Sequence, residues 1–323
     1  MAYRANFPVK SAHFRFPVAF MLSSSPTPAP KRGLPLSTLS LEFLGTGGAI
    51  RTPRPGCGCR LCRQARRVGI PWERGGPSLF VRGPNVLIDT PEESAMQVNR
   101  AAIGPIAAGF YSHWHPDHTA GRRMWETRNW DFRAWPPNHL CTPIYLPPNV
   151  VRDFGIFMGL KENFDYWQAK GLVDVRLMDG PLSVGGWRIT AHPLAEEYVY
   201  AFLFEEEDGP RRVLIAMDEL YGWSPPEEFV GVELAVLPTG IFEFNPFSGE
   251  RRMAANHPVL EREATWRQTV EMVEQLQAKR VIFAHIEEPD GNSPEELLLL
   301  ADELRRTRGW NVTFAYDTLV VEL

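Results

Sequence analysis

The chain has 323 residues, 44% of them hydrophobic and 23% charged, with a formal net charge of -5. That size and balance suit one large globular domain or two small ones. The slight acidity argues against a uniformly basic surface, and so against generic binding to duplex nucleic acid, and no apolar run is long enough to span a bilayer. Three of the four cysteines crowd into Cys57, Cys59 and Cys62, while Cys141 stands apart. This is the pattern of reduced or metal-bound thiols rather than of a disulfide framework, and it points to the cytoplasm.

Arg4, Lys10 and Arg15 precede a short apolar stretch over 16–22, but Pro17 interrupts it and it makes a poor signal peptide. Residues 23–36 are rich in Ser and Pro, so 1–38 reads as a tail or linker and 39–323 as the compact domain. The first strand, over 41–44, runs into Gly45-Thr46-Gly47-Gly48. Strands over 78–81 and 85–88 flank Gly83-Pro84 as a hairpin. A buried strand over 107–111 follows. Residues 121–170, rich in Trp, Phe and Pro with weak periodicity, read as an elaborated, lid-like region above the site. Further strands are expected over 187–191, 200–204, 213–217, 234–237 and 281–284, and a hairpin-like pair over 312–315 and 319–323. Trp266, Val270, Val273 and Leu276 repeat at helical spacing within 261–279. A second helix starts at the capping box Ser293-Pro294-Glu295-Glu296 and ends before Gly309.

The strand over 107–111 leads into Ser112-His113-Trp114-His115-Pro116-Asp117-His118. In an extended segment residues two apart project to one side, so His113 and His115 can hold one metal between them. Pro116 turns the chain, and Asp117 and His118 can then face a second metal. Imidazole and carboxylate suit zinc, manganese or iron. Asp218 and His285 each follow an apolar strand and are placed to add ligands from elsewhere in the fold.

The His-x-His-x-Asp-His segment resembles the signature of the metallo-β-lactamase superfamily. Leu44-Gly45-Thr46-Gly47-Gly48 looks like the first strand and turn of its ribonuclease Z and cyclic-phosphodiesterase branches. Asn85-Val86-Leu87-Ile88-Asp89 resembles the strand that carries an aspartate behind the metal histidines. Cys57-Gly58-Cys59-Arg60-Leu61-Cys62 is similar to the structural zinc site of PhnP-like phosphodiesterases, and a similar cluster occurs in PqqB-like proteins. The likeness covers about residues 40–323. It implies an α/β fold, a four-layer αβ/βα sandwich with two divalent metals (Zn or Mn) at one edge between two sheets. It also implies a structural zinc at the cysteines, Asp218 as the bridging carboxylate, His285 as the last ligand, and His257 as an acid or phosphate contact.

Two positions depart from the family pattern. Glu196 falls where most members supply a further metal histidine, with Glu197 and His192 as alternatives. Glu288 falls where the PhnP-like pattern completes the cysteine zinc with a histidine. The resemblance implies hydrolysis of a small phosphodiester, cyclic ones included, with Asp117 and Asp218 orienting the nucleophile and Arg122 and Arg123 as candidate phosphate contacts. The alternatives are a ribonuclease Z-like or lactonase-type hydrolase, and a PqqB-like cofactor-biosynthesis or binding protein with a reduced metal site. Nucleic acid is the less favoured substrate, since no Gly- and Lys-rich arm is evident. A homodimer is compatible with everything read here.

Overall fold

The computed structural model describes residues 39–323; the tail or linker expected over 1–38 lies outside the described residues. The strands are β1 (Ser40–Gly45), β2 (Ser78–Arg82), β3 (Val86–Ile88), β4 (Ala108–Phe110), β5 (Thr142–Leu146), β6 (Val173–Leu177), β7 (Leu182–Val184), β8 (Trp187–Pro193), β9 (Tyr200–Glu206), β10 (Arg212–Ala216), β11 (Leu234–Pro238), β12 (Val281–Ala284), β13 (Val312–Phe314) and β14 (Val320–Glu322). They form two seven-stranded sheets, ordered β14-β1-β2-β3-β4-β5-β6 and β13-β12-β11-β10-β9-β8-β7. Each sheet is antiparallel at one end and parallel at the other: β3 to β6 run parallel in the first, β10 to β13 in the second.

The two-residue period of a strand explains the layering. Val86 and Ile88 point into the core between the sheets, whereas Leu87 points outward beneath helices. In the second sheet Val213 and Ile215 face inward and Leu214 faces the opposite helical layer. Both faces are covered, so these strands read as unbroken apolar runs rather than alternating ones. Three cores result, one between the sheets and one under each helical layer, giving the expected four-layer sandwich.

The helix Trp266–Leu276 begins at a capping box, with Thr265 N donating to Gln268 Oε1 at 2.8 Å. The helix Pro294–Arg308 opens on the expected Ser293–Glu296 box and stops at Gly309, whose φ of 71° only glycine adopts freely. Two expectations need correction. Residues 312–323 are not a hairpin: β13 pairs with β12 in the second sheet and β14 pairs with β1 in the first. Residues 121–170 are not a lid, since they supply β5 and the helices Met124–Asn129, Pro148–Phe154 and Leu160–Ala169. Trp125, Phe154, Phe164 and Trp167 are buried beneath the first sheet, which accounts for the aromatic content. Among the described residues no helix is long and apolar enough to cross a membrane.

Candidate metal centre

β3 and β4 are parallel neighbours, and their ends build the first half of the site. Asp89 N donates to Phe110 O at 2.9 Å, which sets Asp89 beside Ser112. The Asp89 carboxylate accepts from Ser112 N at 2.8 Å and from Ser112 Oγ at 2.7 Å, and it lies 2.8 Å from His118 Nδ1. Pro116 opens the one-turn helix Pro116–Thr119, which carries Asp117 and His118. The loop closes against the residue after Asp89 through Thr90 N to His118 O, 2.8 Å, and Gly121 N to Thr90 O, 2.9 Å. A side chain at Gly121 would press on Pro91, its Cβ only 2.8 Å from Pro91 C, so the close approach requires glycine.

The second sheet contributes Asp218, two residues beyond β10, and His285, the residue after β12. His285 has φ of 50°, a costly conformation for a side-chain-bearing residue. Thr239 Oγ1 holds its carbonyl at 3.1 Å, and the glycine at 48 leaves room for its ring, since a Cβ there would stand 2.7 Å from His285 Cε1.

Across the gap between the sheets these groups converge. His118 Nε2 lies 3.3 Å from Asp117 Oδ2 and 3.5 Å from Asp218 Oδ2. His285 Nε2 lies 3.5 Å from Asp117 Oδ2 and 3.3 Å from Asp218 Oδ1. His113 Nε2 lies 3.4 Å from Asp218 Oδ2. Two ligand groups result, His113–His115–Asp218 and Asp117–His118–Asp218–His285, each with its donor atoms within 4.8 Å of one another and both containing Asp218. His113 Nε2, Asp117 Oδ2, His118 Nε2 and His285 Nε2 are buried without a hydrogen-bond partner. Buried polar atoms are rarely left so. Their separations are long for direct hydrogen bonds but fit a shared cation, since ligands about 2.1 Å from a tetrahedral metal stand about 3.4 Å apart. The donor set therefore fits bound divalent metal, with Asp218 common to both groups.

The electrostatics agree. Burial alone would raise Asp218, yet His285, His113 and His118 hold it well below the usual carboxylate range. Burial opposes charge on His285, but Asp218 and Asp117 push it up to about 10. His118 is likewise raised against its burial by Asp117 and Asp89. In the other group burial lowers His113, and burial with the neighbouring His113 brings His115 down to about 4. Two ionised carboxylates thus demand positive charge, which divalent cations can supply in place of imidazolium protons.

Glu288 Oε1 lies 2.8 Å from Cys59 Sγ, 3.2 Å from Cys62 Sγ and 3.4 Å from Cys57 Sγ. These four residues form a further group that could hold a metal ion. Burial pushes the Cys62 thiol up to about 12, so a cation is needed to assemble three thiolates there. All four cysteines are free, with none in a disulfide. The segment His285-Ile286-Glu287-Glu288 joins this group to the histidine centre. Ile286 N bonds Thr46 O at 2.9 Å, and Glu287 Oε2 accepts from Ile50 N at 2.7 Å.

Other expected residues are not brought together. Glu196 and Glu197 are exposed and belong to neither histidine group. His192 is paired with Ala201 within β8 and packs its ring on Phe229 at 4.9 Å. His257 is exposed, and its Nδ1 accepts from Val259 N at 3.2 Å. Arg122 bonds Asn163 Oδ1 at 2.7 Å and Thr119 O at 3.2 Å, tying a helix to the loop, while Arg123 pairs with Glu126.

Sequence reasoning missed Tyr198, whose ring lies 5.4 Å from that of His115 and 6.0 Å from that of His113. It also missed a water-sized cavity of 10 Å³ beside Asp218 and His285, walled by Glu219, Glu263 and Glu287. Burial, followed by Asp218, raises Glu219 to about 8 and Glu263 to about 7. No motif announces these residues, because they come from three separate loops.

The chain is similar to several solved structures. A diphosphatase of the PhnP family is 23% identical, with a TM-score of 0.64 over 88% of this chain and 97% of that one. Zinc-bound PqqB from Methylobacterium extorquens is 16% identical, with a TM-score of 0.62 over 88% and 100%. The short form of human tRNase Z is 16% identical, with a TM-score of 0.56 over 87% and 98%. No family model and no curated protein matches the chain. The likeness to these structures shows the fold: this is a metallo-β-lactamase fold, an αβ/βα sandwich.

Proposed function

We propose that the chain is a dinuclear metal-dependent hydrolase acting on a small phosphodiester, cyclic ones included. The observation that carries this reading is Asp218, shared by both ligand groups, because a bridging carboxylate is what a two-metal hydrolytic site needs. His113, His115 and Asp218 would hold one metal and Asp117, His118, Asp218 and His285 the other, with zinc or manganese suited to both. When bound, such a pair supplies hydroxide from water near neutral pH and neutralises charge on phosphoryl oxygens.

The chain's own residues supply the rest. Asp117 and Asp218 orient the attacking water. Asp89 fixes His118 so that Nδ1 keeps its proton and Nε2 faces the centre. The resemblance gives the leaving-group proton to His257, but that ring is exposed and engaged with Val259. We assign the proton instead to Glu263, which lines the cavity beside Asp218 and His285 and is held up at about 7. A third metal, at Cys57, Cys59, Cys62 and Glu288, would be structural.

A second reading has its own support. Glu219, Glu263 and Glu287 gather beside His285 with no Lys or Arg among the described residues lining the same water-sized cavity, so this end of the centre offers a phosphate no cationic side chain, which favours an uncharged acyl substrate such as a lactone over an anion. The experiment is a metal-quantified activity screen against bis(p-nitrophenyl) phosphate, cyclic nucleotides, cyclic ribose phosphates and lactones. Turnover of diesters that rises with two bound metals supports the first reading; turnover of lactones alone supports the second. Fewer than one metal per histidine centre, with no turnover, favours a binding protein and refutes both.

A further inference from the structure

The His113–His115–Asp218 group offers three protein ligands, and the position at which the family pattern expects another is not filled by Glu196, Glu197 or His192. A catalytic metal held by three protein ligands keeps a position open for substrate. Tyr198 stands at this end of the site, its ring against both His115 and His113.

The turn between β8 and β9 presents it there. Leu194 N donates to Val199 O at 2.8 Å and Glu197 N to Leu194 O at 2.9 Å, and Glu197 takes a φ of 50°. Asn149 Nδ2 then pins the turn by donating to Glu197 O at 2.8 Å. This tight turn sends Glu196 and Glu197 outward and brings Tyr198 in. The ring is half-buried, yet its hydroxyl has no hydrogen-bond partner among the described residues. The group it brings to this end of the centre is a phenol, whose O–H can donate to an anion. Arg122, the nearest arginine past the histidine cluster in sequence, is already committed to Asn163, Thr119 and Met158.

We propose that Tyr198 is a substrate-contacting residue, its phenol O–H donating to a phosphoryl oxygen held at the His113/His115 end of the centre. The proposal rests on the phosphodiesterase reading for its substrate class, and on geometry for its residue.

The test compares the metal-loaded full chain with Tyr198→Phe, which preserves the ring. Three quantities are measured: metal content, binding of inorganic phosphate by calorimetry, and steady-state hydrolysis of bis(p-nitrophenyl) phosphate. The expected result is unchanged metal content, phosphate binding weakened about tenfold, and kcat/KM lowered by a similar factor, the size of one hydrogen bond to a charged oxygen. Loss of a metal in Tyr198→Phe makes Tyr198 a ligand and overturns the proposal. Equal phosphate affinity in both proteins, or no phosphate binding by the parent, overturns it as well. A parent that binds phosphate but cleaves no diester refutes the phosphodiesterase reading instead, and the binding comparison still decides the role of Tyr198.

Discussion

Asp89 is the most informative single residue to change. It is fully buried, and its carboxylate receives Ser112 N at 2.8 Å and Ser112 Oγ at 2.7 Å, with His118 Nδ1 at 2.8 Å. In Asp89→Asn the shape is kept and one oxygen can still accept from Ser112 N. The amide nitrogen, however, faces His118 and can only donate. His118 must then accept at Nδ1, which moves its proton to Nε2, the atom 3.3 Å from Asp117 and 3.5 Å from Asp218. A protonated Nε2 cannot bind a metal. Loss of such an orienting carboxylate lowers metal affinity by about 10- to 100-fold, or ~1.4–2.8 kcal/mol. Asp89→Ala goes further and leaves buried donors without acceptors at ~1–3 kcal/mol each, so it should also lower thermal stability. The assay is competitive metal titration against a chromophoric chelator, paired with thermal unfolding. Asp89→Asn should stay folded and lose affinity at the Asp117–His118–Asp218–His285 group. Parent-like affinity in that variant would refute the tautomer argument.

Three further outcomes are expected. Replacing Cys57, Cys59 and Cys62 by Ser should remove about one metal per chain and lower Tm, because a structural zinc contributes directly to folding; equal zinc in variant and parent, measured by mass spectrometry of the metals, contradicts a cysteine site. The metal-free protein should lose stability as pH rises: His285 is held at about 10 against an ordinary 6.5, so its bound proton favours the fold fully below 6.5 and ceases to do so as pH climbs through 10. Melting curves after chelation should therefore fall across that window, and a flat profile counts against the charge balance described here. Glu263→Gln should slow cleavage of alkyl diesters by about 100-fold while sparing p-nitrophenyl esters, whose leaving group needs no proton; equal losses on both substrates argue against the acid role.

Those residues whose signal is local in sequence were legible. His113, His115, Asp117 and His118 fall within six positions, and a strand followed by one helical turn was enough to aim them. Asp218 and His285 were legible because apolar runs reveal strand ends, and strand ends are where a sheet fixes a ligand. Glu288 was reachable by its offset from His285, and it does meet the three thiols. The misses have a different origin. Glu196 was assigned by counting along a loop, but the tight turn at Glu197 sends it outward and brings Tyr198 in. Glu219, Glu263 and Glu287 meet only through tertiary packing, so no spacing rule links them. The aromatic residues of 121–170 were read as a cover over the site, because their partners beneath the first sheet, such as Phe80 and Leu87, lie far back in sequence. The same distance hid the partner of β14, which is β1 and not β13.

That last pairing bears on how the protein is made. β14 lies against β1 with Ser40 opposite Glu322, and Leu323 N bonds Leu39 O at 3.0 Å. During synthesis the first sheet stays one edge strand short until residue 322 has left the ribosomal exit tunnel, although its other six strands emerged much earlier. The second sheet needs only β7 to β13, contiguous in sequence, and can close before the first one does. A chain stalled before β14 would therefore display Asp218 and His285 from a finished half while the half bearing His113 to His118 waits with an open edge for its seventh strand.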